Sequence, residues 1–269
     1  MDKKLFIMST ITKLLAFCGI VITIEEKMKE FIRYCYPNLF KIRRLMARAP
    51  KEGKGKDIYI VLNGPSLKKQ NLSALKGKCL MFVNKGFMHP LYKDLRPQYH
   101  IFVDTKIRDG VWPVTWLDEI FSLSPNVRII LPIAWYNHPT FSNYKEEKRI
   151  FWLDWNVPFY TLGVSGGCFS YAIRQEFENI FFTGFDANSC AYDMLNSSES
   201  HFYGSDSELK NMTSMQHALA LMSTALHFQC LNNLAKYCRK RNINIVNLTN
   251  GGLVDAFPRQ EFPKMNKQE

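Results

Sequence analysis

The chain has 269 residues, 46% apolar and 22% charged, with a formal net charge of +11. That length accommodates one large α/β domain with an appendage or two small domains, and the apolar share is enough for a sizeable core. The seven cysteines, at 18, 35, 79, 168, 190, 230 and 238, are odd in number and include no C-x-x-C pair; this points to neither a disulfide framework nor a zinc site and fits a reducing compartment. Order is not expected at the polar stretches "KEGKGKD" (51–57) and "FPKMNKQE" (262–269).

The amino-terminal stretch "LFIMSTITKLLAFCGIVITI" (Leu5 to Ile24) has the length of a bilayer span, but Lys13 lies near its middle and no small-residue cleavage site follows. The next segment mixes aromatics with Lys and Arg in the manner of an interfacial helix. Residues 1–50 are therefore expected to form a helical basic arm, with surface attachment, a true span and a buried packing helix all open. If the segment spans, the basic flank is expected to place the remainder of the chain in the cytoplasm, and the membrane readings all leave it there, at the inner face of the membrane. A basic arm attracts anionic lipid or nucleic acid, and no nucleic-acid module signature is present.

After residue 56, six short apolar runs read as strands buried on both faces: "DIYIVLNG", "KCLMFVN", "YHIFVD", "VRIILP", "NIFFTGFD" and "INIVNLT". The segment "GVSGG" opens a helix near Ser165. "TSMQHALALMSTALHFQCLNNLAKYCRKR" is a long helix, with apolar residues three and four apart and a basic last turn. Alternating β and α predicts a Rossmann-like, mostly parallel, doubly wound α/β sheet over residues 57–260, followed by a polar tail at 261–269.

Such sheets bind ligands beyond the carboxyl ends of their strands. Standing there are Asn63, Gly64 and Ser66 after the first run, Asn84 after the second, Asp104 after the third, and Asp186 and Asn188 after the fifth, with Ser165 and Gly166 at the helix start. Glycines let backbone N–H groups approach an anion, a helix start offers its positive end, and Asn and Asp suit ribose hydroxyls or base edges. The set predicts a nucleotide site. The absence of a G-x-G-x-x-G and of a Walker lysine pattern disfavours a dinucleotide dehydrogenase and a P-loop NTPase. In the closing segment, Asn250, Gly251 and Gly252 are candidates to close over a base, and Arg259 is either a phosphate partner or a surface residue.

"NGPSL", "VN", "SGG", "NIFFTGFDANSCAY" and "SHFYG" together resemble the bacterial family-42 sialyltransferases over roughly residues 57–260, with a weaker likeness to a pterin-pyrophosphokinase-like domain of flagellin-glycosylation proteins. The resemblance implies a glycosyltransferase A-like fold and inverting, metal-independent transfer of an acidic sugar from a CMP-sugar to a glycan or lipopolysaccharide acceptor, with no cofactor. It implies that Asn63, Gly64 and Ser66 hold the phosphate and ribose region, that Asn84 touches the nucleotide, and that Ser165 and Gly166 keep part of a Thr-Ser-Gly turn. Tyr192 matches a tyrosine that assists phosphate departure, while Asn188 stands where its companion should be. The family's third-strand Asn is Asp104 here. Its H-Y-x-x-H pair retains His201 and has Ser205 in second place, leaving His201 or Asp206 as the base. Family members often form tetramers, which raises a homo-oligomer as an option.

Three rivals stand beside this reading. A UDP-sugar transferase would bind Mg²⁺ through Asp104 and Asp186. A pyrophosphokinase-like enzyme using ATP and Mg²⁺ would draw on Asp104, Asp186 and His201. A nucleotide-sugar-binding protein without catalysis is the reading favoured by the missing second histidine.

Overall fold

A computed structural model describes residues 51–153, 163–188, 190–191, 200–204 and 212–264. The arm of residues 1–50, Tyr192, Ser205 and Asp206 lie outside the described residues.

Seven strands form one all-parallel sheet: β1 (Asp57–Val61), β2 (Leu80–Val83), β3 (Tyr99–Ile101), β4 (Arg128–Pro132), β5 (Ile150–Leu153), β6 (Asn179–Thr183) and β7 (Asn244–Asn247). Their spatial order is β5-β4-β3-β2-β1-β6-β7. The chain winds outward from β1 to β5, then returns to place β6 on the free side of β1. This is the doubly wound α/β arrangement read from the sequence, with its switch point between β1 and β6.

Alternation along β1 explains the layering. Ile58, Ile60 and Leu62 enter one core with Met81, Ile101 and Ile180, whereas Val61 enters the other with Phe82, Ile129 and Leu131. Side chains two apart share a face, so each strand feeds both cores. The first core is closed by α4 (Gly163–Arg174) through Cys168, Phe169 and Ala172, and by α5 (Ser214–Lys240) through Leu231, Leu234, Ala235 and Cys238. The second is closed by α3 (Trp116–Leu123) through Leu117, Ile120 and Phe121, and by the turn residues Leu72 and Leu75. Two one-turn helices, α1 (Tyr92–Leu95) and α2 (Thr105–Arg108), complete the connections. Each fully buried Leu or Ile contributes about 1.5–3 kcal/mol.

α5 begins at a capping box: Thr213 Oγ1 accepts from the Gln216 N–H at 3.3 Å, and Gln216 Oε1 accepts from the Thr213 N–H at 2.7 Å. Arg239 and Lys240 sit in its last turn, where they complement the negative end of the helix.

Two expectations need correction. The edge strand β5, "IFWL", is missing from the six runs; it pairs with β4 alone. The stretch at 51–57 is ordered rather than a loose lead-in. The Gly53 N–H donates to Gln175 O at 2.9 Å, and Glu52 accepts from Tyr99 Oη at 3.2 Å and from the Arg128 guanidinium. A Cβ on Gly53 would lie 2.6 Å from Phe177, so the chain passes too close to the core for a side chain there.

Candidate functional site

The β1–β6 ladder does not stop at the strand ends. The Leu62 N–H donates to Thr183 O at 2.9 Å and the Gly64 N–H to Gly184 O at 2.8 Å, carrying the pairing into both turns. The turns approach so closely that both need glycine. A Cβ on Gly64 would stand 2.6 Å from Gly184 O and 1.9 Å from Asp186 Oδ2. Gly184 has φ of +68°, and its Cβ would stand 2.5 Å from Leu62 O. Above these turns opens a cleft of about 260 Å³ at the switch point.

Asn63, Gly64, Ser165, Asp186, Asn188 and His201 line this cleft together. These six predicted residues come from four separate segments and converge on one mouth. Ser66 lies beneath it: its Oγ–H donates to Asp186 Oδ2 at 2.8 Å and its N–H at 3.3 Å. The donors of the turn at Gly64 and Ser66 are thus engaged by Gly184 O and by the Asp186 carboxylate.

Asn63 is the hub of the cleft. Its Nδ2 donates to Val83 O at 3.1 Å, and its backbone O accepts from the Phe202 N–H at 3.0 Å. The first bond fixes the amide orientation and leaves Oδ1 buried without a partner, as are Asn188 Oδ1 and Asn84 Oδ1. A buried oxygen left unpaired costs about 1–3 kcal/mol. Two of the three belong to residues that line the cleft.

Asn84 sits next to this mouth but does not line it. Its backbone is left-handed, with φ of 46°, and its O pairs with His100 Nε2 at 2.9 Å, while Tyr92 Oη meets His100 Nδ1 at 3.0 Å. Gly166 is buried within α4. Asp104 is not brought to the cleft. It caps α2 by accepting from the Lys106 N–H at 3.1 Å, and β3 lies three strand positions from β6, roughly 14 Å across the sheet. Asp104 and Asp186 therefore do not share one cation, and among the described residues no three His, Cys, Asp or Glu side chains converge to hold a metal.

The segment carrying His201 closes on itself and on the turn after β1. The His201 N–H donates to Gly204 O at 3.0 Å, the Gly204 N–H returns to His201 O at 3.1 Å, and the His201 ring stacks on Tyr203 at 4.9 Å. The Phe202 bond to Asn63 O thus fixes His201 relative to the hub.

One face of α5 supplies the wall that sequence reasoning missed: Thr224, His227, Phe228 and Leu231. His227 Nε2 lies 3.0 Å from Ser165 Oγ, joining α5 to the start of α4. Burial lowers the His227 pKa to about 4, so the ring is neutral at pH 7. The available signal was a histidine and a threonine three residues apart on an otherwise apolar helix face.

Arg259 and the closing segment have a different role from the one expected. The guanidinium donates to Thr249 O at 3.2 Å, Gly252 O at 3.0 Å, Val254 O at 2.9 Å and also to Gly251 O. It clamps a loop whose Gly252 packs against the Asp186 backbone, where a Cβ would stand 2.8 Å from Asp186 Cα. Asn250 and Gly251 line a separate hollow of about 710 Å³. The segment buttresses the Asp186 turn and does not line the cleft.

His100 is fully enclosed and its pKa falls to about 3, with burial outweighing its bond to Asn84 O. Folded His100 and His227 both bind protons less readily than in the unfolded chain, whose histidines titrate near 6.5. Stability is therefore lost as pH falls below about 6.5 toward these lower values. Denaturant melts at pH 7 and pH 4.5 are expected to differ by roughly 2 kcal/mol from His100, with a smaller share from the less enclosed His227. His100→Gln should flatten this slope; an unchanged slope would refute the assignment.

Comparisons with protein-family models, curated proteins and solved structures found no match. Among the described residues no helix is long and apolar enough to cross a membrane.

Proposed function

We propose that the chain is a sialyltransferase-like glycosyltransferase that takes a CMP-activated acidic sugar and transfers it, with inversion and without a metal, to a hydroxyl of a cell-surface glycan or lipopolysaccharide acceptor. The observation that carries the reading is the convergence of Asn63, Ser165, Asp186, Asn188 and His201 on one cleft at the β1–β6 switch point. A lining of this kind suits the hydroxyl and amine groups of a nucleotide-sugar. Its anionic part belongs at the opposite wall, where Ser165 and the positive end of α4 stand, and not at the Gly64 turn.

In the reaction, His201 takes the proton of the acceptor hydroxyl. That oxygen forms the new bond to the anomeric carbon, and the bond from this carbon to the phosphate oxygen breaks, with its electron pair leaving on CMP. The Ser165 hydroxyl, which meets His227 Nε2 at 3.0 Å, donates to the departing phosphate in this reading. The separation of Asp104 from Asp186 argues against the Mg²⁺-dependent rivals. The basic arm of residues 1–50 would hold the enzyme at the membrane surface that carries its acceptor.

Thermal melts with CMP, CMP-sialic acid, UDP-sugars and ATP, each with EDTA or Mg²⁺, test the reading. CMP and CMP-sialic acid at a hundredfold excess over Kd are expected to raise Tm by about 5 °C or more, unaffected by EDTA. Stabilisation by ATP with Mg²⁺ alone would overturn the proposal. CMP binding without transfer to any acceptor would leave a binding protein in its place.

A further inference from the structure

All seven strands run the same way, so their starts share one edge of the sheet, opposite the cleft. The six residues before each strand together hold fourteen Lys and Arg against six Asp and Glu, whereas the rest of the chain after residue 50 holds eleven against fourteen. The positive charge of residues 51–269 thus stands at this amino edge.

Half of the acids there are neutralised locally. Glu52 pairs with the Arg128 guanidinium, Glu147 with Arg149 at 2.8 Å and Glu176 with Lys51 at 3.5 Å. By contrast, Lys54, Lys56, Lys76, Lys78, Arg96 and Lys148 are exposed and form no ion pair among the described residues. Arg239 and Lys240, exposed in the last turn of α5, complement its negative end, but Lys54, Lys56 and Lys148 stand in turns and a strand lead-in where no helix end accounts for them. At about 4.8 Å per strand, the cations from Lys148 at β5 to Lys240 at β7 spread over roughly 30 Å. An open row of this breadth fits an extended anionic surface better than one small anion.

The point at which the arm joins indicates which surface. Lys51, the first residue described, is fixed at this edge, where its Nζ donates to Arg174 O at 2.8 Å. Residues 1–50 therefore enter the domain here, and they combine the apolar stretch Leu5 to Ile24 with ten Lys and Arg against four Asp and Glu. An acidic protein or a nucleic acid would match the charge but leave the apolar stretch without a role, whereas an anionic bilayer takes both. We propose that the amino edge of the sheet is itself a lipid-docking face, lying on anionic headgroups beside the arm. The folded domain then adds to the arm's attachment, with about a fivefold gain in binding for each cation near the leaflet. The docking does not depend on what the cleft binds. It turns the cleft away from the bilayer, so an acceptor for the transfer proposed above is a chain projecting from the surface rather than a headgroup within it.

Amine-acylation footprinting of the full chain tests the proposal, each lysine serving as its own reporter. The vesicles are phosphatidylcholine alone or with about 30% phosphatidylglycerol. Lys54, Lys56, Lys76, Lys78 and Lys148 are expected to react at least about fivefold more slowly on the anionic vesicles than on the neutral ones. Lys69, exposed beyond β1 on the cleft side, should change by less than about twofold, and about 0.5 M NaCl should remove the protection. Because Lys54, Lys56 and Lys78 are exposed, their triple replacement by Glu should leave the circular dichroism spectrum unchanged while abolishing protection at Lys76 and Lys148. Edge lysines left unprotected, whether the chain is held by its arm or not bound at all, overturn the proposal. So do equal protection on neutral vesicles, equal protection of Lys69, and a triple variant protected like the wild type. Protection by poly-glutamate or duplex DNA but not by anionic vesicles assigns the edge to a protein or a nucleic acid, and overturns it as well.

Discussion

Gly64→Ala is expected to destabilise the protein by about 3 kcal/mol or more and to abolish nucleotide binding. The new methyl would meet two obstacles of different kinds. Asp186 Oδ2, at 1.9 Å, is a side-chain atom that could swing away, but doing so breaks its bonds to the Ser66 hydroxyl and N–H. Gly184 O, at 2.6 Å, is backbone at the end of a central strand and cannot move without opening the β1–β6 ladder. Gly184→Ala should be comparably severe, since it adds a left-handed backbone penalty to a 2.5 Å contact with Leu62 O. Gly77→Ala is the control: its φ is +78°, but its Cβ would meet nothing within 4 Å, so only the conformational penalty of about 1 kcal/mol remains. Urea melts of the three variants decide the matter. If Gly64→Ala costs no more than Gly77→Ala, the two turns are not locked together.

The two histidines of the cleft are expected to separate in kinetics. His201→Ala should lower kcat by about 10²- to 10⁴-fold while leaving CMP affinity near the wild-type value, the signature of a lost base. His227 is a poor base at pH 7, because burial has lowered its pKa to about 4. Its contact with Ser165 Oγ makes it a positioning residue. His227→Gln, which retains a hydrogen-bonding group, is expected to stay within tenfold of wild type, whereas His227→Leu should weaken CMP binding more than cytidine binding. The pH profile of kcat/KM should lose its acidic limb in His201→Ala and retain it in His227→Gln. If His227→Gln loses the limb and His201→Ala keeps it, the roles are reversed.

Much of the fold was legible because parallel strands announce themselves locally. Ile58, Ile60 and Leu62 alternate with Val61 into two cores, so the run at the first strand is apolar throughout. The edge strand at Ile150–Leu153 was less legible, because its four apolar residues stand alone between the charged run Lys145–Arg149 and the mixed stretch Asp154–Pro158. Asn63, Asp186 and His201 were readable as candidates because polar residues at strand ends and in loops are conspicuous. What Ser66 and Asp186 do for each other was not, since they lie 120 residues apart and their pairing depends on strand order. His227 was hidden for a different reason: within a long helix with apolar residues three and four apart, a histidine reads as part of the helix pattern, and only packing against α4 reveals its side.

The return of the chain to β1 has a consequence for how the protein is made. β1 pairs on one side with β2, which follows closely, but its other neighbour begins at Asn179, paired with Asp57. At synthesis rates of about 5–20 residues per second, that edge of β1 waits on the order of 6–24 s for its partner. During that interval a strand destined for the centre of the sheet is an exposed, apolar edge, and the cleft above it has only one wall. Chains truncated before Asn179 should therefore aggregate and bind no nucleotide, even though they contain five of the seven strands.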